Sequence, residues 1–220
     1  MLNKKKSLAL VAAGLMLAVP ALAVSPVDAT YRANYMGMSA TGKMQVESIG
    51  GGKYRTTLSV RNQLGYSNQV TVFDVNGSNY RPLSGADNSK FMGKTIDSKA
   101  TYNWGSGTAS WDGNISADKK GPAKMAAGDM DALLINLAVV RDVNAGRAMN
   151  YRMLENGKSK SVNYRVVGKE NVNVMGKQQA ATKVTGSGIT MWVVPGIDVP
   201  VRLEKKNDLG TIVMQLSSIK

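Results

Sequence analysis

Two residue types are missing altogether, for the chain has neither cysteine nor histidine. Without a thiol there is no disulfide, no thiolate nucleophile, no iron–sulfur ligation and no lipid-modified cysteine. Without imidazole there is no Ser-His-Asp triad, no histidine general base and none of the usual zinc sites. Long apolar runs are scarce too. The longest uncharged one, Leu8 to Val19, covers 12 residues, short of the ~20 that span a bilayer as a helix.

The residue types that remain for catalysis are not arranged for it. Asp129 and Asp131 fall at a helix start, where negative charge is favoured anyway. Asp198 sits among Pro195, Gly196 and Pro200 and reads as a turn residue. No S-x-x-K motif lies at a helix start, and no helix follows Gly50-Gly51-Gly52 to offer its N-terminus to a phosphate. The expectation is a protein that binds rather than catalyses, with no catalytic residue, no metal and no cofactor. A weaker alternative is a carboxylate hydrolase of envelope polymers, which needs two acids facing one cleft.

What is present begins with charge. The 220 residues carry 28 Lys and Arg against 15 Asp and Glu, a net +13. Lys4, Lys5 and Lys6 precede the Leu8–Val19 run, and Pro20 and Ala21-Leu22-Ala23 follow it. A basic start, a short apolar run and an A-x-A site describe a secretory signal peptide. The reading is a signal at 1–23, cleaved after Ala23, with a single mature domain at 24–220. Its net charge is +10, with no transmembrane segment. Exported, free of disulfides and lacking a lipidation cysteine, such a chain fits the bacterial periplasm.

Alternation of apolar and polar residues dominates the mature chain and predicts half-buried strands. Tyr54, Thr56, Leu58 and Val60 face one way in a strand over 54–61. Further strands are expected at 69–75, 148–154, 158–167, 170–174, 178–184, 189–194, 199–205 and 211–218. Asn76-Gly77 and Asn156-Gly157 are hairpin turns, since both residue types tolerate φ > 0. One segment changes period. Met130, Leu133, Leu134, Leu137 and Val140 repeat at helical spacing, predicting one amphipathic helix near 129–143, capped by Asp129 or Asp131 and stopped by Gly146. The stretch from Ser116 to Gly128 reads as loop. The fold class is α+β, mostly β.

The order of features after residue 129 carries a family resemblance. Asp131-Ala132-Leu133-Leu134 opens the helix, and Gly146 and the Asn156-Gly157 turn follow. Then come Tyr164-Arg165-Val166-Val167-Gly168-Lys169-Glu170, Met191-Trp192-Val193 and Pro195. Pro200-Val201-Arg202-Leu203-Glu204 and Leu209-Gly210-Thr211-Ile212 complete the order. The chain resembles the bacterial exported family called domain of unknown function 3108, from about Tyr31 to Ser218. The resemblance implies a curved antiparallel sheet or partly open β-barrel with a helix against its mouth, similar to periplasmic lipoprotein carriers. It implies no established activity.

Two sets of residues are candidates for binding. Trp104, Trp111, Met191 and Trp192 would line an aromatic, apolar cleft for an amphiphilic ligand; ordinary sheet packing explains the same residues. Thirteen methionines suit either a surface for varied apolar partners or irregular core filling. Between Arg147 and Lys183, eight basic residues face two acidic ones. Arg152, Lys158, Lys160 and Arg165 would form a basic face toward an anionic membrane surface or an envelope protein. A solvated face with lysines guarding strand edges is the plainer alternative. Nucleic acid is not an expected partner of an exported chain.

Overall fold

The computed structural model describes residues 24–35, 37–207 and 210–220. The expected signal segment with its cleavage point after Ala23 lies outside the described residues, as do Asp208 and Leu209.

Side chains on a pleated backbone point alternately to opposite faces. In β1 (Val27–Tyr35) this buries Val27, Ala29, Tyr31 and Ala33 and leaves the residues between them more exposed. An antiparallel meander follows: β2 (Met38–Gly50), β3 (Lys53–Asn62), β4 (Gly65–Asn76), β5 (Asn79–Phe91), β6 (Lys94–Asn103) and β7 (Thr108–Gly113). It ends in the two-residue β8 (Ala123–Lys124). The β2–β3 turn sets Gly50, Gly51 and Gly52 at φ 86°, 60° and 70°, a region that glycine enters without the Cβ penalty.

After β9 (Asp129–Met130) and helix α1 (Ala132–Asn144) come β10 (Asn150–Glu155) and β11 (Lys158–Asn163). The chain finishes with β12 (Arg165–Val174), β13 (Lys177–Gly186), β14 (Ile189–Val193), β15 (Arg202–Asn207) and β16 (Gly210–Ile219). β16 pairs with β1, so one thirteen-stranded sheet runs β12-β13-β14-β15-β16-β1-β2-β3-β4-β5-β6-β7-β8. Its two end strands do not pair, and the curved sheet stays open. A small second sheet is ordered β11-β10-β9, with β9 parallel to β10.

The mostly-β fold with one helix is as expected, but several details differ. The strands are longer than a sequence of short ones suggests, reaching 13 residues in β2 and β5. The strand expected at 158–167 breaks at Tyr164, whose amide donates to Met149 O at 2.9 Å. Its ring is buried, which pushes the phenol up to about 12. β11 therefore joins the small sheet and β12 the large one. The stretch read as loop contains a 3-10 turn at Ala117–Lys119 and the end strand β8.

Helix α1 is capped by Asp131, whose Oδ1 accepts from Leu134 N at 2.8 Å, satisfying one of the free amides at a helix start. It ends where Gly146 turns at φ 64° and donates to Val143 O. The helix is buried on more sides than an amphipathic pattern implies: Ile135, Ala138 and Val139 are as inaccessible as Leu134. The reason is its position, with β3, β4, β5 and β14 on one side and β10 of the small sheet on the other.

Candidate functional site

Cross-strand register sets the inner face of the large sheet in rows. The row beneath α1 runs Val46–Thr56–Thr71–Gly85–Ala100 from β2 to β6. The next runs Met44–Leu58–Gln69–Asp87–Ser98, and the one after it Gly42–Val60–Ser67–Ser89. Both outer rows change character at the same place. They are apolar in β2 and β3 and polar in β4 and β5, the third row turning apolar again at Ile96 of β6.

The apolar side opens into a pocket of about 310 Å³ lined by Ala33, Ala40, Leu58, Val60, Leu203, Ile212 and Met214. Tyr35, Tyr66 and Phe91 stand among its lining residues, as do Asn62 and Lys205. This is the lower end of the size range of small-ligand sites. Gly42 shapes it: a Cβ there would lie 2.6 Å from Met214 Cε, so a larger residue would push that side chain aside.

The polar side forms an adjoining pocket of about 130 Å³ lined by Gln69, Asp87, Ser98, Tyr102, Trp111, Asp131 and Glu155. Gln69 belongs to both pockets. Its Nε2 donates to Asp87 Oδ2 at 3.1 Å. Ser89 Oγ donates to Asp87 Oδ1 and lies 3.0 Å from Ser67 Oγ. Deeper in, Asp131 accepts from Thr71 Oγ1 as well as from the helix amide. Burial raises the Asp131 carboxyl above the usual carboxylate range, against the lowering effect of those hydrogen bonds.

The residues singled out in the sequence are not gathered in this site. Trp104 lies at the β6–β7 turn, donating from Nε1 to Pro82 O at 2.7 Å, with the Arg81 guanidinium 5.7 Å from its ring centre. Trp111 packs edge-on to Tyr102 in a separate small cluster with Ala100, Ala123 and Leu154, and of the four it alone lines the polar pocket. Met191 is 0% exposed, a core residue. Trp192 points to the opposite, outer face of β14, because adjacent strand residues alternate. There its ring lies 4.8 Å from Lys183 Nζ and 4.9 Å from Arg202 Cζ, while Nε1 donates to Glu170.

The four basic residues are also divided. Arg152 pairs with buried Asp129 at 2.9 Å, and Lys160 with Glu155 at 2.9 Å. Lys158 stands exposed on the small sheet and Arg165 on the large one. Different sheets and internal ion pairs replace a single basic face. Sequence reasoning found Leu58 and Val60 as inward residues but missed Gln69, Asp87 and Ser89, because register between strands is not written in any one strand.

Among the described residues, no three acidic side chains come together as a metal site, and no helix is long and apolar enough to cross a membrane.

No curated protein matches the sequence. Two solved structures are similar to it. One is the crystal structure of a β-barrel-like protein of the domain of unknown function DUF1849 from Brucella abortus. Its TM-score is 0.46 at 13% identity, covering 89% of this chain and 97% of that one. The other is MucB, with a TM-score of 0.31 at 11% identity over 89% of this chain and 52% of MucB. A family model described as "protein of unknown function (DUF3108)" matches residues 30–217, nearly the whole of the described fold, and the chain belongs to that family.

Proposed function

We propose that this is an exported, non-enzymatic periplasmic protein that binds or carries an amphiphilic, lipid-like ligand on the concave face of its sheet. One observation carries the reading. The inner row passes from Leu58 to Gln69 between two adjacent strands, and Gln69 lines both pockets, so a largely apolar pocket adjoins a hydrogen-bonding one. A ligand with an apolar tail and a polar end would bury its tail beside Leu58, Val60 and Ile212. Its polar end would meet Gln69, Asp87 and Ser98. The carboxylates there favour a neutral or cationic end over an anionic one. The mature domain would be residues 24–220.

Two measurements test this. Native mass spectrometry of gently purified protein should reveal a co-purifying hydrophobic molecule, and N-phenyl-1-naphthylamine should fluoresce on binding. Ala40→Trp, which fills the apolar pocket from β2, should weaken the probe by about tenfold, or ~1.4 kcal/mol. A clean ligand-free mass together with no probe binding would overturn the reading. The intact mass of exported protein should begin at Val24.

A second reading has its own observation. β12 forms one end of the large sheet, with Val166 54% and Val167 46% exposed, and such an edge can pair with a partner strand. On this reading the protein is an interaction module of the envelope. Arg165→Glu together with Val167→Lys on that strand should then abolish partner recovery, and unchanged recovery would remove it.

A further inference from the structure

A separate pocket of about 520 Å³ lies where the C-terminal end of α1 meets the small sheet. It shares no lining residue with either concave pocket. Arg141, Arg147 and Arg152 line it, together with the buried carboxylates of Asp129 and Asp142. Three cations against two anions leave a net single positive charge.

The carboxylates fix the guanidinium groups. Asp142 accepts from Arg141 Nε at 2.8 Å, from Arg147 Nε at 2.9 Å and Nη2 at 2.6 Å, and from the Tyr151 hydroxyl at 2.9 Å. Burial would raise its carboxyl, but the hydrogen bonds from Arg141 and Arg147 hold it below the usual range, so it stays ionised. Asp129 holds Arg152 through Nε at 2.9 Å, and Arg152 Nη2 donates to Lys124 O at 3.0 Å. Arg141 spends its last nitrogen, Nη1, on Ser78 O.

Arg152 Nε is buried and makes only the ion-pair contact with Asp129, and two terminal donors are left over. Nη1 of Arg147 and Nη1 of Arg152 have no partner among the described residues, on side chains 46% and 41% exposed. Two positioned guanidinium edges facing one pocket match an oxyanion that can offer each of them its own oxygen. A carboxylate would spend both its oxygens on these two edges, whereas a phosphate group keeps a third for the other polar groups of the pocket. The pocket is larger than a bare phosphate needs, and Asn150, Ser161 and Asn163 supply further polar lining.

The geometry points to a binding site for the phosphate group of a hydroxyl-bearing molecule, with Arg147 and Arg152 as its oxyanion donors and Asp142 and Asp129 as the positioning residues behind them. A soluble phosphoester and a phospholipid headgroup share this chemistry. The site does not depend on the concave-face ligand, and its test is separate.

Calorimetric titration with glycerol 3-phosphate probes the soluble source. Co-sedimentation with phosphatidylglycerol–phosphatidylcholine vesicles, against phosphatidylcholine alone, probes the lipid. Arg147→Gln is the informative variant, because Asp142 keeps Arg141 and Tyr151 and the helix end stays anchored. It should weaken binding in the productive arm by about tenfold, with Arg147→Lys falling between it and wild type. Lys158→Gln, which removes the same charge outside the pocket, should change binding by less than about twofold. Arg147-sensitive binding of glycerol 3-phosphate identifies a soluble ligand; Arg147-sensitive binding of vesicles alone identifies a headgroup. Binding equally weakened by Lys158→Gln, or insensitive to Arg147, or absent from both arms, overturns the proposal.

Discussion

The strip of sheet beneath α1 and the strip beyond it are built from the same strands, yet one is core and the other is pocket. Beneath the helix, Val46, Thr56, Thr71 and Ala100 are all buried. Two and four residues farther along β3 than Thr56, Leu58 and Val60 face the same way and are only half-buried. Alternation decides which face a side chain takes; it does not decide whether anything lies opposite. A helix of 13 residues covers about 20 Å, and the inner face extends past it.

The largest effect that tests this contrast is a core truncation set against a pocket truncation. Leu134→Ala empties a fully enclosed site on α1 and should cost about 2–5 kcal/mol in denaturant unfolding. Leu58→Ala opens a wall that already borders a pocket and should cost roughly 1 kcal/mol. Equal losses would mean that the two strips are packed alike.

A smaller effect concerns the helix cap that joins them. Asp131→Ala should cost about 1 kcal/mol through the lost cap, whereas Asp131→Asn keeps a cap oxygen and should cost less. The pH dependence distinguishes them further. Because burial raises this carboxyl in the folded state, the native protein holds its proton more tightly than the unfolded chain. Stability then falls as pH rises from the unfolded value, ~3.9, through the folded one. Asp131→Asn should flatten that decline in urea melts between pH 4 and 7. Asp142 has the opposite sign. Its lowered carboxyl contributes stability above pH ~3.9 that is lost as pH drops through the folded value.

The smallest effect lies outside both strips. Trp192→Phe keeps a ring between Lys183 and Arg202 and removes only the indole donor to Glu170. A loss of about 1 kcal/mol or less is expected by thermal unfolding. A larger one would mean that the buried indole ring, 3% exposed, and not its hydrogen bond, dominates.

How much of this could be read from the sequence follows from the range of each signal. The helix, a cap at Asp129 or Asp131, the Gly146 stop and the Asn-Gly turns were legible because each depends on neighbours a few positions away; the structure selects Asp131. The mostly-β class followed from alternation. The break at Tyr164 was not legible, since nothing local interrupts the pattern from Lys158 to Val167; a distant carbonyl on Met149 captures the chain there. The tryptophans looked alike as aromatic residues near glycines or strand partners. Their separation follows from register, which sends Met191 inward and Trp192 outward. The polar half of the site was invisible for a related reason. Gln69, Asp87 and Ser89 are unremarkable on their own strands and become a cluster only when β4 and β5 align.

The pairing of β16 with β1 has a consequence for how the chain is made. Ser217 Oγ reaches Thr30 O across 187 residues of sequence, and Asp28 and Lys220 exchange both backbone hydrogen bonds. β1 therefore waits for β16, far along the chain from it. Contacts so distant along the chain form slowly, and the sheet cannot be completed before β16 has been made. Until β16 is in place, β1 keeps one of its two edges unpaired.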